Sequence, residues 1–174
     1  MVTKIINLEN LPDNDIEEVI TRVKILPVTS SNKVLLCKTD GYYHFVGGHA
    51  NPDEDLYECL VRELKEETGI ILEGTDPVPF YMLRRYSGNY FGTNKKCILD
   101  IVYCYVDINE EDIDLSMQDL DDEEIVKGFS LELVDLEDCE EIIKSTNIVD
   151  KEVLTIEMLE ALELYREQIK IKSY

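Results

Sequence analysis

The sequence has few basic residues, only two histidines and no tryptophan. Lysine and arginine total 17 against 38 aspartates and glutamates, which gives a formal net charge of −21 at pH 7. A surface of this sign repels phosphate backbones and anionic lipid, and it attracts divalent cations. We therefore expect neither nucleic acid nor a membrane surface among the partners of this protein.

Cysteine pairs and long apolar runs are also missing. The five cysteines include no CxxC pair, which predicts reduced, buried thiols in a cytoplasmic protein. The first residues, MVTKIINLENLPDN, lack a basic region followed by an apolar run. No segment approaches the length of about 18 apolar residues that a membrane span needs. Secretion and membrane spanning are therefore not expected.

The composition is that of a folded protein. With 174 residues, of which 44% are hydrophobic, the chain can bury a sizeable core, and we predict a single domain over residues 1–174. Residues 1–18 are interpreted as an N-terminal arm or a lone strand. Alternating or continuous apolar residues predict strands at 19–28, 33–38, 80–86, 97–106 and 128–134, with the first two forming a hairpin.

Three helices are predicted between and after these strands. Asp55 is the expected N-cap of the first, because Glu58 stands three residues on, and Gly69 is the expected stop. A short helix is predicted at 136–144 and a long amphipathic C-terminal helix at 150–171. The apolar surface of the last helix is wide, which indicates either deep burial or a homodimer. The acidic stretch 109–124 is predicted to be a solvated loop.

Three glutamates share one face of the first helix. Glu63, Glu66 and Glu67 stand at positions i, i+3 and i+4, so their carboxylates project together. Such like charges cost a few tenths of a kcal/mol on an exposed helix. Mg²⁺ or Mn²⁺ would turn that cost into affinity, because both ions are held by carboxylate oxygens, water and substrate phosphates. The alternative is that the glutamates form an ordinary solvated face.

Two further features surround this face. Arg62 lies eight residues beyond Glu54, close to two helical turns, so an ion pair between them could hold the preceding loop against the helix. Gly47 and Gly48 allow that loop to turn sharply and to offer a backbone carbonyl to the same metal. The residues together predict a metal-binding loop and helix.

The spacing of these residues resembles the signature of the Nudix hydrolases. The pattern Gly48-x5-Glu54-x7-Arg62-Glu63-Leu64-x-Glu66-Glu67-x-Gly69-Ile70 agrees with that signature at every constrained position. The resemblance implies an α/β (α+β) fold, a Nudix-type α/β/α sandwich with a mixed sheet between helices. It also implies hydrolysis of a nucleoside diphosphate linked to another moiety, such as a second nucleotide or a sugar.

The resemblance assigns roles to the signature residues. Glu63, Glu66 and Glu67 would bind Mg²⁺ (or Mn²⁺) with the Gly47 carbonyl, while Glu54 and Arg62 would hold the loop and helix together. The general base would be either a helix glutamate or one from a distant loop. In this chain the loop candidates are Glu123 and Glu124, and Glu124 is preferred.

The substrate is less well specified. Tyr86 lies sixteen residues beyond Ile70, and some relatives that act on diadenosine polyphosphates carry a tyrosine near this position. Arg84 and Arg85 beside it are the predicted phosphate-binding cations. A small nucleotide is expected rather than capped RNA. The alternative function is a catalytically silent Nudix-fold module that senses or binds a nucleotide; such modules usually lose signature glutamates.

Overall fold

A mixed β-sheet of seven strands forms the centre of the protein. The computed structural model describes residues 1–72, 74, 76–145 and 152–172. The sheet order is β1-β5-β6-β2-β3-β4, with β7 paired to β3. The pairs β1–β5 and β2–β6 are parallel and the others antiparallel. The strands are β1 (Val2–Ile6), β2 (Glu18–Thr29), β3 (Lys33–Thr39), β4 (Tyr42–Phe45), β5 (Val78–Ser87), β6 (Cys97–Ile108) and β7 (Ser130–Asp135).

Helices cover both faces of this sheet. Helix α1 (Leu56–Thr68) packs on one face, where Leu60 and Leu64 join one apolar cluster with β2 and β6 residues. Helices α3 (Cys139–Ser145) and α4 (Glu152–Lys172) pack on the other face and contribute to a second cluster. The short helix α2 (Asp122–Val126) precedes β7. The predicted arrangement of a mixed sheet between helices is therefore confirmed.

The central position of strand β6 explains why its sequence is almost continuously apolar. Ile101 and Tyr103 point to the α4 side, whereas Val102 and Cys104 point to the α1 side. A strand covered on both faces has no solvated face to carry polar residues. All five cysteines are buried and free, as the sequence predicted.

Helix α1 begins and ends where the sequence indicated. The Asp55 side chain accepts a hydrogen bond from the Glu58 amide, and Glu58 bonds back to the Asp55 amide in a capping box. Gly69 ends the helix with φ of 73°. A Cβ at Gly69 would lie 1.9 Å from the Asp114 carbonyl oxygen, so a larger residue would push the helix away from the segment after β6.

Three segments differ from the sequence predictions, and one of them is β4 (Tyr42–Phe45), a strand that was not predicted. Residues 1–18 contain β1, which extends the sheet beside β5, since Val2 to Ile6 pair in register with that strand. The acidic stretch 109–124 holds two 3-10 turns and the start of α2 rather than a loop. Helix α2 forms because Asp121 and Glu124 make a second capping box, which uses acidic residues as helix-starting groups.

The C-terminal helix buries most of its apolar surface. Met158, Ala161, Leu162 and Tyr165 belong to the core of the α4 side, whereas Ile156 is 63% exposed. Deep burial is thus the main reason for its apolar composition. Residues 150 and 151, where the helix was predicted to begin, lie outside the described residues. No helix in the described part of the chain has both the length and the apolar content required to span a membrane.

Candidate active site

The three helix glutamates lie around the loop that follows β4. Glu63 and Glu67 are 9% and 4% exposed, so they face the protein and not the solvent. A Cβ at Gly48 would lie 2.6 Å from a Glu63 carboxylate oxygen, and one at Gly47 would lie 2.4 Å from the Val23 carbonyl oxygen. Gly47 also has a φ of 121°, so its position requires glycine, whereas a larger residue at Gly48 would displace the Glu63 carboxylate.

Arg62 binds several carboxylates at once. Its Nε and Nη2 atoms donate to the two oxygens of Glu54 at 2.7 and 2.9 Å. Its Nη1 atom donates to Glu63 and Glu66, both at 2.8 Å, and Nη2 also donates to the His49 carbonyl at 2.9 Å. The planar guanidinium suits this fork-like arrangement. The bond to Arg62 lowers the pKa of Glu54 to about 2.

Glu67 is the most buried acid of the group. Its Oε2 atom accepts a hydrogen bond from the Gly47 amide at 2.6 Å. Burial raises the pKa of Glu67 to about 7, and burial also raises the pKa of Glu63. Desolvation disfavours the charged form of a carboxyl group. Both groups therefore gain from a nearby cation.

Lys24 supplies one such cation from β2. Its Nζ donates to the carbonyl oxygen of Gly47 at 2.6 Å and to that of Phe45 at 3.1 Å. Burial lowers the pKa of Lys24, while Glu67 and Glu63 raise it. The lysine thus links the loop carbonyls to the glutamate group. A carbonyl oxygen has two lone pairs, so Gly47 can accept this bond and still bind a second partner.

Helix α2 brings another carboxylate to the same place. Glu124 lies close enough to Glu67 for the two groups to affect each other's pKa, and burial raises the pKa of Glu124. Its neighbour Glu123 is bound to Lys127 at 2.7 Å. The structure therefore brings the preferred loop glutamate of the sequence analysis up to the helix glutamates.

A cavity of about 290 Å³ opens beside these groups. Its lining includes Gly47, Glu67, Lys24 and Arg22. It also includes an apolar wall of aromatic and aliphatic side chains from β4, β6 and α4. Glu157 of α4, which is 4% exposed, also lines the cavity and is bound by Arg85. The wall residues are Tyr42, Phe45, Ile101, Tyr103, Leu154 and Met158.

The NUDIX domain profile matches residues 20–154, most of the chain. The chain belongs to the Nudix family. Its helix α1, its glycine loop and the intervening residues are the signature region of that family. A comparison with curated protein sequences gives no match.

Solved Nudix structures share the fold. An Ap4A hydrolase from C. elegans superposes with a TM-score of 0.56 at 18% identity, covering 87% of this chain and 98% of that one. The NUDIX domain of Shewanella oneidensis NrtR, solved with ADP ribose, has a TM-score of 0.57 at 15% identity, covering 93% and 96%. The ORF135 protein of E. coli has a TM-score of 0.53 at 19% identity, covering 90% and 98%. At these identities the similarity concerns the fold alone.

The residues predicted to bind substrate lie on β5, beyond β6. Arg84 makes two bonds to Asp100, at 2.8 and 2.7 Å. The Tyr86 hydroxyl donates to Asp13 at 2.7 Å. Among the described residues that line the cavity, neither Arg84, Arg85 nor Tyr86 is present. Arg85 reaches the cavity only indirectly, through its ion pair with Glu157.

Sequence reasoning missed the two cations that do line the cavity. Arg22 and Lys24 occupy the polar positions of a strand with alternating character, which is usually the solvated face. In this sheet both side chains line the cavity that Glu67 also lines. The loop after β4 lies beside them, since it bridges to β2 at Arg22 and Ile25. The Nε atom of Arg22 is buried and has no hydrogen-bond partner within the described residues. The sequence signal that pointed to them is the presence of two cations at positions i and i+2 of one strand.

Proposed function

We propose that this Nudix protein hydrolyses the pyrophosphate bond of a nucleoside diphosphate linked to another moiety, with Mg²⁺ or Mn²⁺ as cofactor. One observation carries the proposal: all signature glutamates are present, two of them are buried, and one of these, Glu67, lines a cavity together with Arg22 and Lys24. A binding module without activity would not need to bury so many like charges.

The donor set fits a magnesium ion. Glu63, Glu66 and Glu67 offer the carboxylate oxygens that hard divalent ions prefer, and the Gly47 carbonyl has a second lone pair for the same purpose. The raised pKa values of Glu63 and Glu67 indicate two buried acids that lack enough positive charge. When bound, the metal would lower the pKa of a water molecule and neutralise charge on the phosphates.

The protein's own groups supply the remaining functions. We assign Glu124 as the general base, since it lines the cavity beside Glu67 and burial raises its pKa above the ordinary value of a glutamate. Arg22 and Lys24 would bind the phosphate oxygens and offset the charge that develops on the leaving group. Glu54 and Arg62 would position the glutamates through the bonds described above. The helix glutamate Glu67 is the alternative base.

The apolar wall of the cavity suits the nucleoside. Tyr42 and Tyr103 provide aromatic surface, and Leu154 and Met158 of α4 add aliphatic surface. The likeness in fold to a hydrolase of Ap4A and to a domain solved with ADP ribose supports a small nucleotide substrate. We retain Arg84, Arg85 and Tyr86 as proposed substrate contacts for the part of a substrate that extends past the cavity.

We further propose that residues 1–174 act as one domain in the cytoplasm. The net charge of −21 supports the expectation that neither nucleic acid nor membranes are partners. A homodimer would use the exposed part of α4 around Ile156.

The decisive experiment is a hydrolysis screen. Dinucleoside polyphosphates, nucleotide sugars and nucleoside triphosphates are incubated with Mg²⁺ or Mn²⁺, and released phosphate is measured after phosphatase treatment. A Glu67→Gln variant should lose at least about a hundredfold in kcat. The matched control is Glu163→Gln, an exposed glutamate of α4. Nucleotide binding without hydrolysis of any compound would favour the sensing alternative.

A further inference from the structure

A cysteine, a histidine and a glutamate meet behind the proposed magnesium site. The Sγ atom of Cys37, an imidazole nitrogen of His44 and a carboxylate oxygen of Glu67 all lie within 4.8 Å of one another. Cys37 is fully buried, Glu67 is 4% exposed and His44 is half-buried. These are three different ligand types on three structural elements, β3, β4 and α1.

The sheet register holds two of the three ligands together. Cys37 and His44 are directly opposite each other on the antiparallel strands β3 and β4. Opposite residues place their Cβ atoms about 4.5–5.5 Å apart on the same face of a sheet. Helix α1 packs on that face and brings Glu67. The pair is therefore fixed by backbone hydrogen bonds and does not depend on a flexible loop.

The distances suit a tetrahedral zinc ion. Zn–S bonds of about 2.3 Å and Zn–O bonds of about 2.0–2.2 Å at a tetrahedral angle separate sulfur and oxygen by about 3.5–3.7 Å. The Cys37 Sγ atom lies 3.6 Å from Glu67 Oε2. The histidine nitrogen lies within 4.8 Å of both atoms.

The hydrogen bonds of His44 define its tautomer. The Nδ1 atom faces the Phe45 carbonyl oxygen at 3.1 Å, and since a carbonyl only accepts, Nδ1 carries the hydrogen. The lone pair is then on Nε2, where it accepts from the Thr39 hydroxyl at 2.9 Å. A ring N–H bound to a backbone carbonyl is the usual outer support of metal-binding histidines. A metal bound at Nε2 would displace this hydroxyl.

We propose that Cys37, His44 and Glu67 form a second metal site, selective for Zn²⁺ over Mg²⁺, which competes with the catalytic metal for Glu67. Thiolate and imidazole ligands favour zinc, whereas Mg²⁺ prefers oxygen alone. His44 and Glu67 line the cavity, so the ion enters from the substrate side. Zn²⁺ would therefore inhibit the hydrolase. This consequence rests on the proposed function, but the existence of the site does not.

Cobalt serves as the probe of the site. Co²⁺ is added to the metal-free protein in the presence of excess Mg²⁺, and the near-ultraviolet charge-transfer band of a cobalt–thiolate bond is recorded. We expect the band in the wild type and in Cys104→Ser, a matched change at another fully buried cysteine. We expect its loss in Cys37→Ser. Absence of the band in the wild type, or its survival in Cys37→Ser, overturns the proposal.

A second variant tests the site without replacing the buried cysteine, so a folding defect of Cys37→Ser does not decide the outcome. His44→Gln should keep the thiolate band but weaken Co²⁺ binding at least about tenfold. Unchanged affinity would remove His44 from the site and refute the three-ligand arrangement.

Competition between the two metals is measured as the ratio of Mg²⁺-dependent activity with and without Zn²⁺. The ratio should fall in the wild type and stay near one in Cys37→Ser. Equal ratios would refute competition, while a failed substrate screen would leave the cobalt result intact.

Discussion

The ammonium of Lys24 lies 2.6 Å from the carbonyl oxygen of Gly47, in the loop that carries the signature glycines. The amide of the same glycine donates to Glu67 at 2.6 Å. One residue of the loop is thus bound from both sides, by a cation of β2 and by a carboxylate of α1. This arrangement fixes the loop before any ligand binds, and it places positive charge at the cavity where we propose that substrate phosphates bind.

The cations of β2 are predicted to bind phosphate. Replacing Arg22 with methionine should raise KM for the best substrate at least about tenfold and change kcat less, because a charge-assisted contact to bound phosphate is lost. Arg84→Met is the competing variant, since Arg84 is the phosphate contact that the sequence predicted but is bound to Asp100 on the neighbouring strand. Steady-state kinetics of both variants are compared. A larger KM effect in Arg84→Met would place the phosphates along β5 instead.

Stability without metal should depend on pH through Glu67. Its pKa is raised from 4.5 to about 7 in the folded protein, so the folded state binds more protons than the unfolded state between these values. The stabilisation is complete below about pH 4.5 and is lost as the pH rises through about 7. Each unit of pKa difference corresponds to about 1.4 kcal/mol.

The measurement compares denaturant unfolding of the wild type and Glu67→Gln in chelator at pH 5 and pH 8. The comparison is needed because burial lowers the pKa of His49 to about 4, which gives the opposite slope. The wild type should lose stability relative to the variant as the pH rises, and saturating Mg²⁺ should reduce that loss. A constant difference from pH 5 to pH 8 would contradict the raised pKa.

Arg62 is predicted to stabilise the fold through geometry as well as charge. Arg62→Lys keeps the charge but loses the paired bonds to Glu54, so the free energy of unfolding should fall by about 1–3 kcal/mol. Lys144→Ala, which breaks an exposed i,i+4 pair with Glu140, should have a much smaller effect. Urea unfolding of both variants tests this. Equal losses would show that Arg62 acts only as a surface charge.

The C-terminal helix permits separate tests of burial and dimer formation. Leu162 is 1% exposed, so Leu162→Asp should cost about 3–5 kcal/mol in unfolding free energy. Ile156 is 63% exposed, so Ile156→Asp should leave the stability of the monomer unchanged. Sedimentation velocity of Ile156→Asp then reports on the homodimer: a dimeric wild type and a monomeric variant would locate the interface there.

The sequence predicted the elements that local rules control. The capping pair Asp55 and Glu58, the stop at Gly69 and the spacing of the glutamates on α1 depend on contacts within a few residues, and all were confirmed. The predicted link between Glu54 and Arg62 is likewise present in the structure, because Glu54 lies in the loop just before the N-cap of the helix that carries Arg62. Helix α2 was missed although its capping box is local, since an acidic run is more often a loop.

Contacts between distant segments could not be read from the sequence. Only the pairing of β2 with β6 and the bridge to the loop after β4 turn Arg22 and Lys24 toward the glutamates, because strand periodicity does not tell which face is buried. Only the register of β3 and β4 sets Cys37 opposite His44. The sequence alone therefore determined the signature residues and the helix that carries them. The tertiary structure decided which cations, aromatic residues and thiol surround them.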